Sequence, residues 1–63
     1  MYYLVKDGKS YVAYYETYLG LAIGEWNGES FEWDEELCVF GNIIAEFETE
    51  PELIKAFKEE IEK

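Results

Sequence analysis

The sequence has no histidine and no arginine, and only one cysteine and one proline. Each absence removes a class of chemistry. Without histidine there is no Ser-His or Cys-His pair to activate a nucleophile. The zinc sets that contain histidine go with it. Cys38 alone closes no intrachain disulfide and builds no four-cysteine zinc site. It lies in an apolar run, Leu37 to Phe40, with no cation beside it in sequence, and is expected to be a small buried hydrophobe. Without arginine, bidentate recognition of phosphate is lost. Gly20, Gly24 and Gly28 are spaced by four, with no P-loop lysine and Ser/Thr after them, so no phosphate cradle is expected. No stretch approaches the roughly 20 apolar residues of a membrane helix. The start, MYYLVKDG, lacks the apolar core of a secretory signal, and a free cysteine suits a reducing compartment, so a cytoplasmic location is expected.

Positive charge is also scarce. Fifteen acids face five lysines, a net charge of −10. Small soluble domains usually carry a net charge of magnitude about 2–8. Such a chain repels nucleic acid and anionic membranes and attracts basic surfaces. Tyrosines and tryptophans on a sheet resemble a base-stacking platform. Binding a polyanion, however, needs cations that displace counterions, and direct nucleic-acid binding is therefore set aside. Disorder is not expected, because 49% of the residues are hydrophobic and many are bulky.

Sixty-three residues make one domain. A chain of this size buries only about 60% of its unfolded surface. With no disulfide or metal, its core must come from the aromatics, which are 19% of the residues, or from a partner subunit.

The central stretch is Gly20 to Glu36. It reads as a hairpin closed by a two-residue Asn27-Gly28 turn, which would pair Gly24 with Phe31 and Ala22 with Trp33. Large rings would then lie over small residues. The opposite face would carry Leu21, Ile23, Glu25, Ser30, Glu32 and Asp34, with Glu25 and Glu32 diagonal to each other.

Tyr2 to Lys6 and Lys9 to Tyr18 read as strands around Asp7-Gly8. A three-residue loop, Lys6 to Gly8, would set Val5 opposite Lys9. Tyr3, Val5, Tyr11, Ala13 and Tyr15 would then share one face, and Tyr2, Leu4, Val12 and Tyr14 the other. Both faces are apolar, so cover is expected from the helix on one side and from a second subunit or ligand on the other. Strands are also expected over Leu21 to Trp26, Glu29 to Trp33, Leu37 to Phe40 and Ile43 to Phe47, the last two as a third hairpin. Thr49-Glu50-Pro51-Glu52 is a capping box pattern, and Leu53, Ile54, Phe57 and Ile61 form a helical stripe, so a helix is expected from Glu50 to Glu62. The fold class implied is α+β: an antiparallel sheet of four to six strands with one C-terminal helix packed on one face.

Carboxylates are the chemistry that remains. Glu25 with Glu32 has the composition of a glycosidase pair, but one sheet and one helix offer little cleft to enclose it. Glu32, Asp34, Glu35 and Glu36 offer oxygen ligands, yet lack calcium-loop spacing and its glycine. No metal, cofactor or catalytic residue is therefore assigned. Alternate residues on a strand lie about 6.6–6.8 Å apart, close to the phosphate spacing along a DNA strand. The expected function is that of a non-catalytic inhibitor presenting carboxylates to a basic, nucleic-acid-binding site of a protein partner. A phage-borne antagonist of a host defence complex would act in this way. Its contact residues would be Glu25, Glu29, Glu32, Asp34, Glu35 and Glu36, with Trp26 and Phe31 as apolar anchors. The alternative is an interaction module or homodimer that joins through Tyr3, Tyr11 and Tyr15, with acid serving solubility alone.

Overall fold

The computed structural model describes all residues from Met1 to Lys63. Five strands, β1 (Tyr2–Asp7), β2 (Ser10–Thr17), β3 (Gly20–Trp26), β4 (Phe31–Glu36) and β5 (Asn42–Phe47), precede one helix, α1 (Glu50–Ile61). The strands form one antiparallel sheet in the order β4-β3-β2-β1-β5. The α+β class expected from the sequence is the one observed.

The two faces have different covers. On one, the row Ala45, Leu4, Ala13, Gly24 and Trp33 runs across all five strands. Leu53 and Phe57 of α1 pack on this face with Leu4, Ala13 and Phe31 to form the main core. Small residues in mid-row leave room for rings from the flanks: an added Cβ on Gly24 would lie 2.7 Å from the Trp33 ring. Trp33 Nε1 donates to Glu50 Oε1 at 3.2 Å, joining edge strand to helix.

The first hairpin differs in register from expectation. Val5 faces Val12 and Lys6 faces Tyr11, so the turn is Gly8-Lys9 rather than Lys6-Asp7-Gly8. Gly8 has φ +65° and no non-glycine residue has positive φ, the pattern of a type II′ turn. Tyr2, Leu4, Tyr11, Ala13 and Tyr15 thus face the helix, while Tyr3, Val5, Val12 and Tyr14 face away. This register places Leu4 beside Ala13 under the helix, where both are buried.

The β3–β4 register is also shifted, by two residues. Gly24 faces Trp33 and Trp26 faces Phe31. The loop holds four residues because Asn27 Oδ1 accepts the amides of both Glu29 and Ser30, at 2.9 and 3.0 Å. A shift of two keeps the paired side chains on their expected faces, while Glu29 and Ser30, expected in the strand, fall in the loop.

Leu37 to Phe40 is not a strand, and no third hairpin forms. β4 and β5 lie at opposite edges, so their connection must cross the sheet. It crosses the face away from α1 as a strap. There the Phe40 amide donates to the Tyr14 hydroxyl at 3.2 Å. Gly41, at φ +97°, sits so close to the Lys6 carbonyl that a Cβ would approach it to 2.7 Å. Val5 and Tyr14, 0% and 2% exposed, are buried on this face. The strap thus covers Val5 and Tyr14 from within the chain. Cys38 rides on the strap and is exposed, not buried.

Helix α1 begins as expected after Thr49, but the capping box does not close. An N-cap oxygen accepts from the second or third helical amide. Here the second residue is Pro51, which has no N–H, and Thr49 makes no side-chain cap bond.

Candidate functional site

The strap-bearing face collects acid from all five strands. Its rows are Glu46, Tyr3, Tyr14, Ile23, Asp34 and, nearer the β2–β3 turn, Glu16, Leu21, Glu36. Glu25 and Glu32 face each other directly, rather than diagonally, across β3–β4. The strands bring Glu16, Glu25, Glu32, Asp34, Glu36 and Glu46 to this face, with Asp7 at the hairpin end, and no lysine. Lys6 points to the helix side, Lys9 is in a turn, and Lys55, Lys58 and Lys63 belong to α1 or follow it.

The charges are uncompensated. The molecule forms a single ion pair, Lys63 Nζ to Glu60 Oε1 at 3.1 Å, at the end of α1. That ammonium holds the Glu60 carboxyl below its ordinary range. On the strap-bearing face, carboxylates meet hydroxyls and amides instead. Tyr3 Oη donates to Glu16 Oε1 at 3.0 Å, and this bond raises the Tyr3 phenol above its usual value. Glu36 Oε1 accepts the Leu37 amide at 2.8 Å, fixing the root of the strap.

The residues expected to act together divide between the faces. Glu25, Glu32, Asp34 and Glu36 share the strap-bearing face. Glu35 points to the helix side opposite Ala22, and Glu29 is in the exposed β3–β4 loop. Trp26 and Phe31 are not exposed anchors. Both pack around Phe57, with ring centroids 5.3 and 4.9 Å from it, and Phe31 is only 6% exposed. Lys58 Nζ lies 5.8 Å from the Trp26 ring centroid, closing the outer side of that cluster. Tyr3, Tyr11 and Tyr15 do not form one surface, because Tyr3 faces away from the helix and the other two toward it. Tyr15 stacks on Tyr2 at 4.3 Å, and burial raises the Tyr2 phenol.

No group of three ligating side chains comes together as a metal would require. For Glu32, Asp34, Glu35 and Glu36 the reason is the strand itself, which sends Glu35 to the opposite face and spaces the other three about 6.6–6.8 Å apart along it. No helix is long and apolar enough to cross a membrane.

Three apolar residues near the acids were not anticipated from sequence. Leu37 and Leu19 are 97% and 82% exposed, and Phe40 is 58% exposed. Leu19 and Leu37 line an open depression of about 650 Å³ with Tyr15, Leu21, Glu35 and Glu36. For Leu37 and Phe40 the available signal was the run LCVF, four apolar residues between an acidic strand and Gly41-Asn42, where a turn-rich connection would be polar.

Comparisons with protein-family models, with curated proteins and with solved structures give no match to this chain.

Proposed function

We propose that this chain is a non-catalytic acidic binding protein that occupies the basic, nucleic-acid-binding site of a protein partner. The observation that carries the reading is the lysine-free sheet face, whose carboxylates have no ion-pair partner within the molecule. Leaving Glu25 opposite Glu32 costs stability, since like charges directly across a strand pair repel. That cost is offset when a basic surface lies over both. A nuclease, a repressor or a host-defence complex has the required chemistry, and a phage-borne antagonist is the kind of protein that would exploit it. Both carboxyls are exposed on an open sheet, which favours binding over acid/base catalysis.

The test is charge reversal on that face alone. Glu25→Lys, Glu32→Lys and Asp34→Lys together should abolish partner binding with circular dichroism unchanged. Glu35→Lys, Glu59→Lys and Glu62→Lys together, off that face and equal in charge change, should leave binding nearly intact. Equal loss from both would mean that net charge, not this face, drives association. Wild-type binding should also weaken steeply with salt, because steering between exposed charges is screened within about 8–10 Å near physiological ionic strength.

A second reading, self-association with acid serving solubility, draws on Ile43 and Ile44 at the β5 edge, 49% and 46% exposed. The bulge in β5 opposite Leu4 and Val5 weighs against it, since bulges blunt edge pairing. Added salt would strengthen such a dimer, the opposite sign to the first reading.

A further inference from the structure

The geometry points to the strap, Leu37 to Phe40, as an apolar docking ridge whose occupant is a protein groove bordered by lysine or arginine. The inference rests on the acidic-binding reading and names how that face is engaged.

Three observations carry it. The strap is apolar throughout, yet its side chains are largely turned outward: Leu37 is 97% and Phe40 58% exposed, and Cys38 between them is exposed too. A connection with only a covering task would bury these groups and expose polar ones.

The strap is also held at three points. Glu36 takes the Leu37 amide, Tyr14 takes the Phe40 amide, and Gly41 seats against the Lys6 carbonyl. A ridge fixed in this way loses little conformational entropy on binding.

Finally, acid lies on both sides of it. Glu25, Glu32 and Asp34 are toward the β4 edge, and Glu16 and Glu46 are on β2 and β5. This pattern selects among occupants. A second copy set face to face would oppose acid to acid on both flanks. An anionic bilayer or a nucleic acid is repelled by the same field. An apolar groove with a cationic rim matches centre to centre and rim to rim, the usual arrangement of a protein interface. Leu37 and Phe40 then take the anchoring role that Trp26 and Phe31, packed around Phe57, do not fill.

Cys38 supplies the probe. A benzophenone maleimide on Cys38 is photolysed in low-salt lysate with the full chain. The control carries the label at Lys55→Cys, on the helix side, in a Cys38→Ser background. In parallel, the protein retained by the unlabelled chain is purified, and its affinity is measured against Leu37→Ser with Phe40→Ser. Both positions are exposed and the Phe40 bond to Tyr14 is through backbone, so the double variant should fold.

The expected result is a Cys38-specific adduct inside a groove flanked by lysine or arginine, with about tenfold or greater loss of affinity in the double variant. The salt slope should stay that of wild type. Unchanged affinity in the double variant overturns the ridge while leaving the acidic face standing. So does a Cys38 adduct on a second copy or on a flat polar surface. Retention of no basic protein overturns the acidic reading, and the ridge falls with it.

Discussion

Glu25 and Glu32 are direct partners across the β3–β4 pair, both exposed and neither in an ion pair. Like charges in this relation are destabilising, and opposite charges favourable by about 0.2–1 kcal/mol. Glu32→Lys should therefore raise the urea midpoint, with the m-value unchanged. The substitution also reduces the net charge from −10 to −8, as one acid becomes one base. Glu35→Lys makes the same charge change opposite Ala22, so it isolates the global contribution. Glu32→Lys should exceed it. Equal gains from the two would show that the cross-strand pair adds nothing of its own. The same variant should bind a basic partner less well, so stability and function pull apart at this residue.

Self-repulsion should also be visible in the whole molecule. With one ion pair to screen and a net charge of −10, salt has much repulsion to relieve and little attraction to lose. Raising sodium chloride from about 0.01 to 0.15 M shortens the screening length from about 30 to 8 Å. The melting temperature should rise. For a domain of this size about 1 kcal/mol corresponds to about 4–8 °C. A flat response in differential scanning calorimetry would mean that the carboxylates do not strain the fold.

The α+β class was legible because its signals are local. Turn dipeptides, alternating strands and the stripe Leu53, Ile54, Phe57 and Ile61 each operate within a few residues. Registers were less legible because they answer to packing. The first hairpin turns at Gly8-Lys9, where Leu4 and Ala13 come to lie side by side under α1. The second lengthens its loop because one side chain, Asn27, captures two amides. The strap was illegible for a different reason. A short apolar run looks the same whether it joins a sheet or crosses one, and only the strand order decides. The candidate site divides likewise. Glu32, Asp34 and Glu36 alternate within one strand and could be read together. Glu16 and Glu46 reach the same face only through strand pairing, and no spacing in the sequence joins them.

Gly24 is required by Trp33 rather than by backbone conformation. A methyl group there would meet the indole at 2.7 Å. The ring has little freedom to move, since Tyr2, Tyr15 and Phe31 surround it at centroid distances of 5.9, 6.1 and 5.5 Å. Gly24→Ala should cost about 1–3 kcal/mol, as overpacking does. Pairing it with Trp33→Phe should recover part of that loss, because the smaller ring makes room and contacting sites are not additive. Denaturant melts of both singles and the double complete the cycle. Strictly additive losses would place the Gly24 effect elsewhere than at this contact.

Alkaline pH tests the Tyr3–Glu16 bond. Both Tyr2 and Tyr3 have phenols raised above the ordinary 10.0, Tyr2 by burial and Tyr3 by its hydrogen bond to Glu16. A raised phenol means that the folded state holds its proton more tightly than the unfolded chain. The stabilisation is therefore complete below the unfolded value, and it declines as pH rises from about 10 through the folded one. Ultraviolet titration should show the tyrosinate signal of Tyr2 and Tyr3 delayed above pH 10.0 in the folded chain. Tyr3→Phe keeps the ring and removes the hydroxyl, so its stability should fall less steeply over the same range. If the Tyr3→Phe and wild-type profiles coincide, the Tyr3 hydroxyl does not donate to Glu16 in solution, and this corner of the acidic face is more open than its geometry indicates.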